Sequence, residues 1–201
     1  NDTSSASFPV TYASTSSSKT FTNAGIFNKN VGSNASQTID IAVNNSGTLA
    51  VNSGTLRLSS GGAATGVFGI ASSSVLESLG TLTWSGGSLT GSGAFLVSGG
   101  SLSLTSAYTQ ALTDPKWQIT GGTTTANVAM TLNGAFDWAG GTIAGTGTLT
   151  TAGAVNVTSG GTLQDKVWTN NGTLNISANG QIALGGTSAT FTNSSTGVMV
   201  D

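Results

Sequence analysis

The chain contains no histidine and no cysteine. Without histidine the commonest general base and nearly all zinc sites fall away. Without cysteine there are no disulfides and no thiolate metal ligands, and cysteine usage cannot report the redox compartment. Charge is scarce as well: 6% of 201 residues are charged, five Lys or Arg against seven Asp or Glu, where an ordinary soluble chain carries about 25%. Five basic residues and a net charge of −2 give no cationic footprint for nucleic acid. No apolar run approaches the roughly 18–20 residues of a membrane-spanning helix, so no membrane insertion is expected. Proline occurs only as Pro9 and Pro115. The chain starts at Asn1 without an apolar leader, which reads as a mature form or an excised piece whose export signal lies elsewhere.

What replaces charge is glycine, 30 residues of it, together with abundant Ser, Thr and Asn and 37% hydrophobic residues. Disordered chains combine low hydrophobicity with high net charge, so this composition indicates a folded, neutral, hydroxyl-coated protein. The apolar residues fall into triplets with one residue between, among them Leu49/Val51, Leu56/Leu58, Phe68/Ile70, Phe95/Val97, Leu102/Leu104, Phe136/Trp138, Val155/Val157, Ile182/Leu184 and Val198/Val200. Period-two alternation puts both members of a triplet on one face of a strand. Gly-Gly pairs at 61–62, 86–87, 99–100, 121–122, 140–141, 160–161 and 185–186, and Asn-Gly at 133–134, 171–172 and 179–180, mark sharp corners.

Whole stretches recur. Trp84–Leu104 (WSGGSLTGSGAFLVSGGSLSL) returns 54 residues later as Trp138–Val157 (WAGGTIAGTGTLTTAGAVNV), an offset of two long coils or three short ones. Phe21-Thr22-Asn23, Trp168-Thr169-Asn170 and Phe191-Thr192-Asn193 form a second recurring phrase. About three short strands per 20–23 residues predict an all-β, single-stranded parallel β-helix, or β-solenoid, over residues 21–201. A sandwich of hairpins would explain Asn-Gly turns but not near-copies of 20-residue stretches. Residues 1–20 read as a Ser/Thr-rich lead-in or cap, with Phe8, Val10 and Tyr12 alternating as a capping strand would. Outward positions carry few of the charges that usually guard sheet edges, so end-to-end self-association, or stacking on neighbouring domains of a longer chain, is expected.

The rhythm breaks at Tyr108–Trp117 (YTQALTDPKW), where Pro115 is barred from a central strand and a protruding loop is expected. Leu163–Trp168 (LQDKVW) repeats its ingredients. The candidate ligand contacts are therefore Tyr108, Asp114, Trp117 and Asp165, with Trp117 as the exposed aromatic for a sugar ring, while Trp84, Trp138 and Trp168 are assigned to the core. The acids are Asp2, Asp40, Glu77, Asp114, Asp137, Asp165 and Asp201, scattered singly; a glycosidase pair needs two carboxylates about 5–10 Å apart, and only Asp114 with Asp165 offers one. No P-loop, G-x-S-x-G or calcium β-roll phrase occurs, so no enzyme activity, cofactor or metal is expected. Seven N-x-[ST] sequons occur, at Asn1, Asn34, Asn44, Asn156, Asn171, Asn175 and Asn193; chance explains most of them in a chain this rich in Asn, Ser and Thr, and they matter only in a source that glycosylates exported proteins. Thr123-Thr124-Thr125 suggests an outward threonine array of the ice-binding kind, without a regular Thr-x-Thr in each coil.

Ser46–Gly62 (SGTLAVNSGTLRLSSGG) and Asn170–Gly186 (NNGTLNISANGQIALGG) resemble the repeats of large bacterial exported β-helix proteins, the autotransporter passengers and filamentous-haemagglutinin-like adhesins. The resemblance is one of repeat style over roughly residues 21–200. It implies a right-handed parallel β-helix, an extracellular or cell-surface location, and a role as stalk, adhesin or self-assembling matrix component. A carbohydrate-binding, less readily carbohydrate-cleaving, β-helix acting on host or matrix glycans through the Tyr108–Trp117 loop is the alternative.

Overall fold

A computed structural model describes residues 10, 11, 13, 19–30 and 36–201. It is an all-β solenoid in which parallel strands stack along three faces. Face one takes β1 (Thr20–Asn23), β4 (Ala42–Asn45), β7 (Gly62–Ala64), β10 (Thr81–Trp84), β13 (Ser101–Leu104), β16 (Thr123–Ala126), β19 (Thr142–Ala144), β22 (Gly160–Gln164) and β25 (Gln181–Gly185). Face two takes β2 (Ile26–Lys29), β5 (Thr48–Val51), β8 (Val67–Ile70) and β11 (Ser88–Thr90), then β14 (Tyr108–Gln110), β17 (Met130–Leu132), β20 (Thr148–Thr151), β23 (Val167–Asn170) and β26 (Thr190–Asn193). Face three takes β3 (Ser36–Ile39), β6 (Thr55–Leu58), β9 (Val75–Ser78), β12 (Ala94–Val97), β15 (Lys116–Ile119), β18 (Phe136–Trp138), β21 (Ala154–Val157), β24 (Thr173–Ile176) and β27 (Val198–Val200).

Every strand pairs with its counterpart one coil up or down, so the core is a set of columns. On face three the inward column runs Leu56, Leu76, Phe95, Trp117, Phe136, Val155, Leu174, and all seven side chains are buried. One coil advances the chain by as little as 19 residues (Phe136 to Val155) and as much as 25 (Thr173 to Val198), a wider spread than the expected 20–23. The alternation predicted from the triplets holds except at the end. Val198 and Val200 stand in outward columns, above Thr173 and Asn175, and Met199 holds the inward place above Leu174.

The 54-residue copy is explained by the three faces. Trp84 ends β10 on face one of the fourth coil, and Trp138 ends β18 on face three of the sixth. The offset is two coils and two strands, so the copies lie on different faces, and what repeats is a strand with its corner. Both tryptophans are buried, as is Trp168. The Phe-Thr-Asn phrases share one geometry: the ring points inward and the asparagine closes the strand on an internal ladder. Asn23 Nδ2 donates to Asn45 Oδ1 at 2.8 Å, and Asn170 Nδ2 to Asn193 Oδ1 at 2.9 Å. Stacked identical amides satisfy each other's polar groups, with Asn23, Asn45 and Asn170 buried and Asn193 exposed at the upper end.

Faces one and three run through nine strands without interruption, while face two divides between β11 and β14. The corner before β11 carries one additional residue. Four positions carry the chain from Asn45 to Leu49, from Ala64 to Phe68 and from Leu104 to Tyr108, and five from Trp84 to Leu89. The surplus falls at Gly86 and Gly87, with φ of +138° and +82°, conformations open to glycine. A Cβ on Gly87 would strike the Gly66 carbonyl, as close an approach as at the corners below, and β11 pairs with β8 of the third coil. The Tyr108 N–H instead donates upward, to the Ala129 carbonyl at 2.9 Å. Five rings fill the interior at this seam: Phe68, Trp84, Phe95, Tyr108 and Trp117, with centroids 5.0 to 6.5 Å apart.

At the lower end Val10 forms a parallel bridge to Ile39, and the Thr11 hydroxyl donates to Asp40 Oδ2 at 2.7 Å. Phe8, Tyr12 and the sequons at Asn1 and Asn34 lie outside the described residues. At the upper end Leu184, Val198, Met199 and Val200 are each at least 50% exposed.

Candidate functional site

The Tyr108–Trp117 stretch is not a protruding loop. β14 and β15 flank a turn of five residues, Ala111–Pro115. Trp117 is 0% exposed and Tyr108 7%. The Trp117 indole N–H donates to the Tyr108 hydroxyl at 3.1 Å, and burial pushes the Tyr108 phenol pKa up. Both belong to the core, because β14 and β15 place them in the inward columns below Met130 and Phe136; neither ring is available to stack on a sugar. Asp114 is occupied with its own turn, Oδ2 accepting the Ala111 N–H at 2.7 Å. The buried Gln110 carboxamide fastens that turn, donating to the Pro115 carbonyl at 2.9 Å and accepting the Gly134 N–H at 3.1 Å.

Asp165 lies at a different corner, between β22 and β23 of the eighth coil, whereas Asp114 lies between β14 and β15 of the fifth. The structure does not bring these carboxylates together. Asp165 has φ of +50° and caps the corner above. The Thr187 N–H at 2.7 Å, the Gln164 amide at 3.0 Å and the Ser188 N–H at 3.2 Å hold its carboxyl below the usual range. Lys166, next in sequence, turns inward and is fully buried; its Nζ donates to the Ala126 carbonyl two coils below at 2.5 Å. Burial lowers its pKa from 10.5 to about 8. Thr124 also faces inward, and its hydroxyl has no hydrogen-bond partner; the threonine run is therefore not an outward array.

The polar residues that do assemble stand on the outside of face three. Gln118, Asp137, Asn156 and Asn175 occupy one outward column on β15, β18, β21 and β24, at successive intervals of 19. Gln118 Nε2 donates to Asp137 Oδ2 at 3.3 Å, Asn156 Nδ2 to Asp137 Oδ1 at 2.8 Å, and Asn175 Nδ2 to Asn156 Oδ1 at 3.0 Å. Lys116 completes the set with an ion pair to Asp137 Oδ2 at 2.6 Å. Burial alone raises the Asp137 pKa, but the hydrogen bonds from Asn156, Lys116 and Gln118 and the Lys116 charge outweigh it and hold the carboxyl below its usual value. Two residues further along each strand or corner come Thr120, Ala139, Thr158 and Ser177, on the same side of the chain because side chains alternate. The two columns, with Val157, Ile176 and Val200, line a groove of about 490 Å³ along the axis. A second outward pair, Arg57 with Glu77 at 2.6 Å, lies lower in the same column.

Sequence reasoning counted Asp137 as a lone acid and missed this column. The signal was present: QITGG, DWAGG, NVTSGG and NISANG each put an amide or acid, an apolar residue and a small or hydroxyl residue before a glycine corner. The sequons at Asn156 and Asn175 belong to the same phrase, since residues i and i+2 of a strand share a face.

No family model, curated protein or solved structure matches this chain. Its function is read from its own geometry. Among the described residues no three acidic side chains gather as a metal site.

Proposed function

We propose that this chain is a rigid structural or adhesive element outside the cell, acting through its length and its outer surface and not through a reaction. The observation that carries this reading is the continuous ladder: two faces of nine strands each, paired coil to coil around one apolar core. At a rung spacing of about 4.8 Å it forms a stem about 40 Å long. Among the described residues, parallel stacking pairs each strand within the rod and leaves open ladder edges at the seam and the ends.

The upper coil supports self-association or docking against a neighbouring segment. Leu184 and Met199, in inward columns on β25 and β27, are half-exposed, where another coil would cover them. The low charge and the repeat style described above support an extracellular or cell-surface setting. Sedimentation velocity over a concentration series, with negative-stain microscopy of the same samples, tests the proposal. The expected result is rods that lengthen with concentration and revert to single rods in Leu184→Lys/Met199→Lys. A compact particle that never lengthens would overturn it.

A further inference from the structure

We propose that the groove on face three, over the fifth to eighth coils, binds an extended, uncharged oligosaccharide lying along the solenoid axis. The inference deepens the adhesive part of the proposed function and does not depend on end-to-end assembly.

Three properties of the groove select this ligand. The first is periodicity. Gln118, Asp137, Asn156 and Asn175 recur every 19 residues, so equivalent polar groups stand one rung apart, about 4.8 Å. Successive pyranoses of an extended β-linked chain turn relative to one another, so sugars two or three apart, and not consecutive ones, would present the same edge to the ladder. The second is charge. The single carboxylate, Asp137, is paired with Lys116, so the strip is neutral and offers a polyanion or a metal cation little net attraction. The third is hydrogen-bonding capacity. Each carboxamide of the ladder uses one N–H on its neighbour. The second N–H of each, and the Gln118 and Asn175 carbonyl oxygens, remain for a ligand. The Thr120, Thr158 and Ser177 hydroxyls line the other side, and Ala139 leaves room between them.

Every tryptophan is buried, so this site has no aromatic platform. Binding rests on many weak contacts that add along the chain, and hexasaccharides bind better than disaccharides.

The test uses the whole chain, produced in a host without N-glycosylation because Asn156 and Asn175 begin sequons. Neutral β-linked hexasaccharides of glucose, xylose and mannose are titrated by calorimetry, and the side-chain amide signals of Gln118, Asn156 and Asn175 are followed by NMR. The expected result is binding by at least one of them, with those signals shifting. Asn156→Leu and Asn175→Leu should each weaken it about fivefold, one net hydrogen bond, with the β-fold retained by circular dichroism and unchanged rods by microscopy. Ser103→Leu, outward on face one, should bind as the parent does. Absence of binding by all three sugars, binding undiminished in both ladder variants, or binding only of polygalacturonate in a salt-sensitive manner would each overturn the proposal. Loss of rods with glycan binding intact would instead count against end-to-end assembly alone.

Discussion

Lys166 ties the stability of the solenoid to pH. Its ammonium is enclosed, with the Ala126 carbonyl as acceptor and its pKa lowered to about 8. In the unfolded chain a lysine keeps an ordinary value of about 10.4. Between about pH 8 and pH 10 the unfolded chain therefore holds a proton that the folded chain has released, and stability rises with pH across that window. Below pH 8 both states are protonated and the full cost of burying the charge is present. At about 1.4 kcal/mol per pKa unit the shift corresponds to roughly 3 kcal/mol, and relaxation around a buried ion leaves about half of that. Lys166→Met keeps the stem and removes the charge. The Ala126 carbonyl still accepts the Gly147 N–H at 3.1 Å, so the variant loses little. It should be about 1–2 kcal/mol more stable than the parent at pH 7, and the gap should narrow by about half by pH 9.5. Urea unfolding monitored by tryptophan fluorescence at half-unit pH steps measures both curves. Readings should stop below pH 10, where the raised Tyr108 pKa acts in the opposite direction: its unfolded phenol ionises first and stability falls. A parent stability flat from pH 7 to 9.5, with Lys166→Met destabilising throughout, would refute the reasoning.

Other substitutions test the interior. A Cβ at Gly161 would run into the Trp138 indole, so Gly161→Ala should cost about 1–3 kcal/mol, whereas Gly25→Ala, with open space around it, should fall within about 0.5 kcal/mol of the parent; chemical denaturation compares them. Trp117→Ala removes a fully buried ring at the seam and deprives the Tyr108 hydroxyl of its donor; a loss of about 3–5 kcal/mol is expected. Near-parental stability of that variant would return Trp117 to the surface. Thr124→Val replaces a buried hydroxyl that has no partner with a methyl group, and thermal unfolding should show a gain of about 1 kcal/mol.

The architecture was legible because its rule is local. Period-two alternation and glycine corners mark strands and turns one at a time, and Leu56/Leu58 or Val155/Val157 need no distant information to be assigned inward. Features that depend on which coil stacks on which were not legible. Trp117 followed a proline and a charged turn and read as exposed, yet its column between Phe95 and Phe136 decides its direction. Trp84 and Trp138 read as equivalent positions in two coils, but a unit of one strand per face lets copies fall on different faces. The groove column was hidden for the same reason. Gln118, Asp137, Asn156 and Asn175 are scattered letters of three kinds in sequence, and they become one feature only when the 19-residue step is laid on face three. Lys166 and Asp165 are neighbours with opposite fates, since alternation sends one into the core and the other to the corner.

The stack itself can be measured with spin labels, which the absence of native cysteine makes clean. A nitroxide at Thr38, on the first coil of face three, is paired in turn with one at Gln118, Asn156 or Asn175, on the fifth, seventh and eighth coils of the same outward column. At about 4.8 Å per rung the mean distances should be about 19, 29 and 34 Å, rising in proportion to coil number. Distances that fail to increase in that order, as an antiparallel sandwich would give, would contradict the solenoid.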